Sequence, residues 1–184
     1  MADRLVDYGG MAQRFQEIGS AEYAQEVYTQ NAVTAAVAKQ SMFLAGSGRL
    51  TLAAAGNIRG TFTNPSGSGK TCYIVRLAGM STATGYLGLR IAPTTGLPAT
   101  AARPTLNAVV GSATAPVGQL KVDTDLTTAL GGGTDTGIVI GAPANTRLQL
   151  DLPPIVIPAG AVLGLGATYA GAADMTLSIY WFED

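Results

Sequence analysis

Residues 146–169 read TRLQLDLPPIVIPAGAVLGLGATY, and the alternation of apolar and polar residues in this stretch decides the fold. In its first half, the leucines at positions 148, 150 and 152 alternate with Arg147, Gln149 and Asp151. A period of two is that of a β-strand whose side chains point in turn to the core and to water. In its second half the alternate positions hold Gly164 and Gly166, so we expect another backbone or side chain to approach this strand closely.

The same period recurs along the chain from residue 49 onward. It predicts nine strands separated by Gly, Pro, Asn and Asp, at 49–53, 58–63, 71–78, 86–91, 119–123, 137–140, 146–151, 161–169 and 175–182. No helical pattern alternates with these strands. The sequence therefore predicts a mainly β fold, an antiparallel β-sandwich or jelly roll formed by residues 46–184.

The interval 93–118 has no clear period and contains several prolines and many alanines and threonines. Unstructured loops longer than about 12 to 15 residues are uncommon in compact domains unless they bind something or are disordered. Arg103 is the one charged residue in the interval, which disfavours a solvated disordered tract. We therefore expect a loop that lies on a neighbouring molecule.

Residues 1–45 differ from the rest and predict an N-terminal arm with one helix. Ser20 is a suitable N-cap, residues 22–43 contain neither Pro nor Gly, and Gly46 provides a stop. The larger apolar side chains of this helix form no single stripe. Two interpretations stay open: the helix packs on its own domain, or the arm docks on a partner through its aromatic side chains.

Residues 64–71, NPSGSGKT, end like a phosphate-binding loop, but the pattern is incomplete. That loop needs a glycine where Asn64 stands, and it must open a helix whose N-terminus holds the anion. The residues after Lys70 are β-branched and aromatic and predict a strand. We interpret the segment as a hairpin turn between two strands.

Composition excludes several classes of function. The net charge of −1, from 11 basic and 12 acidic residues, provides no excess with which to bind nucleic acid. The chain has no histidine, which removes the commonest general base and metal ligand. Its single cysteine, Cys72, lies in an apolar strand pattern and is expected to be a small buried hydrophobe.

The acidic motifs do not complete a metal site. A calcium loop beginning at Asp123 would need a glycine at Thr128 and a glutamate at Thr134, and the glycines before Asp135 belong to no repeat. No pair of carboxylates can be selected as a glycosidase site. We expect no catalytic residues, no metal and no cofactor.

Only 12% of the residues are charged, against about 25% in ordinary soluble domains. The uncharged stretch 152–173 is interrupted by proline and glycine, so it does not predict a membrane span. The first residues lack the basic start and apolar core of a signal peptide, which favours a chain made and retained in a cytoplasm. A surface so poor in charge is expected where copies in an assembly cover each other.

The order of these features resembles a family of small jelly-roll virion proteins of tailed bacteriophages. The resemblance rests on the helical arm, on NPSGSGKT followed by TCYIVRL, on LDLPPIVIPAG followed by AVLGLGA, and on the terminal strand MTLSIYWFED. It covers most of residues 46–184. It implies a non-enzymatic structural protein, most often a trimeric cement or decoration protein that binds the major capsid protein on the capsid surface.

Two other functions remain open beside the capsid cement protein: a tail or fibre module that binds the host surface or a carbohydrate, and an enzyme, which the incomplete motifs disfavour. Under the structural hypothesis, the partner interface is expected on the arm and the long loop, at Phe15, Tyr23, Tyr28, Phe43, Leu97, Arg103 and Leu106.

Overall fold

The computed structural model describes residues 4–8, 11–15, 34–37 and 39–184. Residues 34–37 are helical, and the rest of the described chain is built of strands and turns. The strands are β1 Arg4–Tyr8, β2 Met11–Phe15, β3 Met42–Gly46, β4 Leu50–Leu52, β5 Gly56–Thr63, β6 Cys72–Ser81, β7 Gly85–Ile91, β8 Thr105–Asn107, β9 Gln119–Asp125, β10 Thr134–Ala142, β11 Arg147–Ile157, β12 Val162–Tyr169 and β13 Ala173–Glu183. The predicted mainly β fold is confirmed.

Two antiparallel sheets pack face to face as a sandwich. The five-stranded sheet has the order β10-β7-β12-β5-β9, and the six-stranded sheet has the order β11-β6-β13-β3-β8 with β4 also paired to β13. Strand β3 pairs with β13, β5 with β12, β6 with β11 and β7 with β10, and these four pairs alternate between the two sheets. This is the topology of a jelly roll, in which one long antiparallel ribbon is wrapped into two sheets.

All nine predicted strands are present, because alternating apolar residues are buried between the two sheets. Strand β11 extends beyond its predicted end at residue 151, through Pro153 and Pro154 to Ile157. The register shifts between Asp151 and Ile155. Proline is tolerated here because β11 is an edge strand, where the missing N–H removes no ladder hydrogen bond.

The predicted helix end at Phe43 is wrong. Met42–Gly46 forms strand β3, and Phe43 is fully buried with its ring 5.8 Å from that of Trp181. A short apolar run does not by itself distinguish a strand from a helix, and here pairing with β13 decides it. The sandwich therefore begins before the predicted boundary at residue 46, and residues 20–33 and 38 of the predicted helix lie outside the described residues.

The main core lies between the sheets around Trp181. Its indole packs against Phe62 in an edge-on arrangement at 5.0 Å as well as against Phe43. A second, smaller cluster lies on the outer face of the six-stranded sheet, where Ala36 contacts a patch containing Met42 and Val75. Residues 34–37 thus pack on their own domain. For this described turn, the first of the two interpretations of the helix applies, and not docking on a partner.

The long interval after β7 contributes to both sheets. It adds β8 beside β3 and leads into β9 beside β5, at the edges opposite β11 and β10. Its residues 99–103 also bond to the outer edge of β9: the Arg103 N–H donates to the carbonyl of Leu120 at 2.7 Å, and the Thr100 hydroxyl donates to that of Val122 at 2.9 Å. We expected this interval to be a loop that lies on a neighbouring molecule. At β8 and at residues 99–103 it lies on its own domain instead.

The close approach expected at the glycines of β12 is confirmed. A Cβ on Gly164 would stand 2.7 Å from Cδ2 of Leu130 and 3.0 Å from Cγ of Pro93. A Cβ on Gly166 would meet Leu130 at 3.4 Å. The loops that carry Leu130 and Pro93 therefore lie directly on this face of the five-stranded sheet.

Candidate partner interface

The phosphate-loop-like segment 64–71 connects the two sheets at one end of the sandwich. It joins β5 to β6, and β6 is a strand as predicted. The prediction that the segment is a hairpin turn is wrong, because β5 and β6 lie in different sheets. The buried Asn64 amide holds the segment by donating to the carbonyls of Lys70 at 2.8 Å and Ile157 at 2.9 Å. No helix follows Lys70, so the segment has no helix N-terminus to hold a phosphate.

Lys70 itself is paired with a buried carboxylate, that of Glu183. Its ammonium lies 3.1 Å from Oε2, and the Glu183 side chain is fully buried. The other oxygen, Oε1, accepts from the backbone N–H groups of Val117 at 2.8 Å and Gly118 at 2.9 Å, and from the indole N–H of Trp181 at 3.0 Å. These four donors hold the carboxylate in place, so that it joins the segments around it.

Cys72 lies beside this cluster and is fully buried, as expected of a small hydrophobe. Burial and, to a lesser extent, the nearby Glu183 charge raise the pKa of its thiol to about 12, while Lys70 acts in the opposite direction. A thiol with this pKa is protonated at neutral pH and is a poor nucleophile.

The acidic pair Asp123 and Asp125 is occupied by an arginine. Both oxygens of Asp123 accept from Arg59, at 2.8 and 2.9 Å, and Asp125 lies 3.0 Å from the same guanidinium. The N–H groups of Thr128 and then Thr127 hold the pKa of Asp125 below its ordinary value. Within the described residues no group of three or more His, Cys, Asp or Glu side chains could hold a metal ion.

A small apolar cavity lies among buried residues of the sandwich. Leu87, Tyr169 and Met175 line it together with the end of β6, and it has room for about one water molecule at most. Among the described residues no helix has the length and apolarity needed to cross a membrane.

The predicted interface residues of the long loop have different roles. Leu97 and Leu106 are exposed, by 46% and 63%. Arg103 is partly buried and donates from its guanidinium to the carbonyl of Val122 at 3.0 Å, so it holds the loop to β9. Two of the three positions are therefore available to a partner.

The predicted arm residues are mostly outside what the structure describes. Phe43 is a core residue, and its assignment to the partner interface is wrong because the opposite sheet and β13 enclose it. Phe15 is the last residue of β2. Tyr23 and Tyr28 lie outside the described residues.

The structure adds two exposed apolar residues that the sequence did not single out, Met80 and Val156, to the predicted Leu106. On the outer face of the six-stranded sheet, Met80 is 46% exposed, Val156 53% and Leu106 63%. Cross-strand pairing places them on this side, because Val156 is opposite Tyr73, whose ring stacks on the outward Phe182 at 4.7 Å. We call Met80, Leu106 and Val156 the outer apolar residues. Alternation along β6 and β11 predicts two faces but does not tell which face the opposite sheet covers.

Comparison with known proteins adds no relative. No protein-family model matches the chain, and no curated protein matches it.

Proposed function

We propose that this protein is a structural component of a tailed-bacteriophage virion. It is a capsid cement protein that acts as a homotrimer, binds the major capsid protein on the capsid surface and performs no catalysis. The proposal follows from the resemblance of its sequence features to jelly-roll virion proteins, and the jelly-roll fold agrees with that resemblance.

One observation supports this function most directly: two acidic side chains are paired inside the domain while large apolar side chains remain outside. The carboxylate of Glu183 forms an ion pair with Lys70, and that of Asp123 forms one with Arg59. Met80, Leu106 and Val156 are meanwhile about half exposed on one sheet face. A surface of this kind suits apolar contact with another protein.

Capsid binding tests the proposal. Purified protein is mixed with capsids that lack it, and the particles are sedimented and assayed for the bound protein. We expect Leu106→Glu and Val156→Glu to reduce binding at least tenfold, about 1.4 kcal/mol, because each buries a charge in the contact. Gln119→Glu is the matched control, since it adds the same charge at an exposed site on the other sheet.

One result would overturn the proposed function, and a second would overturn the proposed interface. Protein that sediments with tails and not with capsids would support the tail or fibre module instead. Undiminished capsid binding by both glutamate variants would remove the outer apolar residues from the interface.

A further inference from the structure

The outer edges of the two sheets are not equally protected. An edge strand exposes unpaired N–H and C=O groups, which natural proteins block with short strands, prolines, charges or covering loops. Strand β8 has only three residues, β11 contains Pro153 and Pro154, and β9 is covered by residues 99–103. Three of the four edges are therefore blocked.

The fourth edge, β10, has an irregular register between Asp135 and Val139, and only its last four residues, Val139–Ala142, form a regular edge without any such device. It has nine residues, and from Thr136 to Ala142 it contains neither a charge nor a proline. Ile138 is 44% exposed. The register is regular from Val139 to Ala142, where β10 pairs with β7 on one side only. This segment can accept one more strand.

The described residues also contain a strand pair that needs a partner. Strands β1 and β2 form a separate two-stranded antiparallel sheet, and among the described strands each pairs only with the other. A two-stranded hairpin by itself is marginally stable in water and gains stability from a third strand. The β10 edge can accept one more strand, and the hairpin would gain a third strand by pairing with it.

We propose that the β1–β2 hairpin of one copy docks on the β10 edge of a neighbouring copy and extends its five-stranded sheet. This inference rests on the homotrimer of the proposed function and states how its copies hold each other. We assign the occupant to another copy because β10 and the hairpin do not pair with each other within the described residues of the single chain. A contact between two different surfaces is heterologous, and it forms a ring such as a trimer when the rotation between neighbouring copies closes.

The length of the connecting segment permits this exchange. Residues 16–33 number 18, which span up to about 60 Å when extended and about 27 Å as a helix. Both lengths exceed the radius of gyration of roughly 15 Å expected for a domain of this size. The chain after this segment is anchored on the six-stranded sheet through Ala36.

Cross-linking of a mixture of two variants, each with one added cysteine, tests the exchange on purified full-length protein without capsids. Gln13→Cys in β2 is mixed with Ile138→Cys in β10 and treated with a short bismaleimide. We expect a cross-linked product that contains one chain of each variant, which only an intermolecular contact can give. Val156→Cys, equally exposed on β11, replaces Ile138→Cys as the control and should give at most a tenth of that product. The native Cys72 is buried and should not react.

A charge on the edge provides a second test. Ile138→Lys should raise the protein concentration at half-dissociation at least tenfold in light scattering, whereas Gln119→Lys, at the exposed start of the opposite edge strand β9, should leave it unchanged. The proposal is overturned if the mixed variants give no product or if the β11 control reacts equally. It is also overturned if a cross-link forms only when both cysteines are placed in the same chain, because the contact is then within one chain. Failure of capsid binding with successful cross-linking would overturn the proposed function and leave this contact in place.

Discussion

Replacement of Glu183 by alanine tests the buried cluster that joins the end of β13 to its surroundings. The substitution leaves three donors without an acceptor in the interior: the N–H groups of Val117 and Gly118 and the indole N–H of Trp181. Each unsatisfied buried donor costs about 1–3 kcal/mol. Lys70 adds little to this cost, because its side chain is 37% exposed and can turn to water.

We expect Glu183→Ala to lower the free energy of unfolding by about 4 kcal/mol, within the range of about 3–5 for a broken buried ion pair. For a chain of this length this corresponds to a fall in Tm of about 8–16 °C. Glu183→Gln keeps an acceptor for the three N–H groups and loses chiefly the bond to Lys70, so it should cost about 1–3 kcal/mol.

Urea unfolding at fixed protein concentration provides the measurement, with fluorescence of Trp181, the one tryptophan in the chain, as the signal. Asp184→Asn is the control, since it changes an exposed carboxylate at the next residue and should stay within about 0.5 kcal/mol of the original protein. If Glu183→Ala matches that control, the carboxylate does not hold these donors and the reasoning is wrong.

Three further predictions follow from single contacts. The pKa of Asp125 is lowered in the folded state, so its charge stabilises the protein at pH values above the ordinary pKa of 3.8. This contribution is lost as the pH falls through the folded pKa. The difference in urea midpoint between the original protein and Asp125→Asn should therefore shrink from pH 6 to pH 3. Cys72 should not react with a thiol reagent at pH 8 until urea unfolds the protein, because its pKa is about 12; fast reaction in the absence of urea would contradict its burial. Gly164→Val should cost about 1–3 kcal/mol by displacing Leu130, whereas Gly171→Val, with nothing within 4 Å, should be near neutral in the same assay.

The sandwich could be predicted because its signal is local. In residues 147–152 and 161–169, the side chain of every second residue is apolar, and this period defines a strand before any partner is known. Strands β3 and β8 were missed for the opposite reason. Phe43 ends a run that also suits a helix, and β8 has three residues whose pairing with β3 depends on the folded domain.

The candidate interface was predicted less well, because exposure is a property of the assembled sheets. Leu106 was expected at the surface and is exposed, but Phe43 is enclosed by strands far from it in the sequence. Val156 lies between two apolar neighbours, and only the register with Tyr73 assigns it to the outer face. Glu183 carried no signal, since its four donors come from separate parts of the chain.

The pairing of β3 with β13 has a consequence for synthesis of the protein. Phe43 is opposite Trp181, so the central strand of the six-stranded sheet is made long after the strands on both sides of it. Until β13 has left the ribosome, β3 and β6 lack their common neighbour and their apolar faces stay open to water or to chaperones. The two sheets therefore pack together only after β13 has been translated, and not one part of the domain at a time during synthesis. Ribosome-bound chains stalled before β13 should accordingly be digested rapidly by a protease that spares the finished protein.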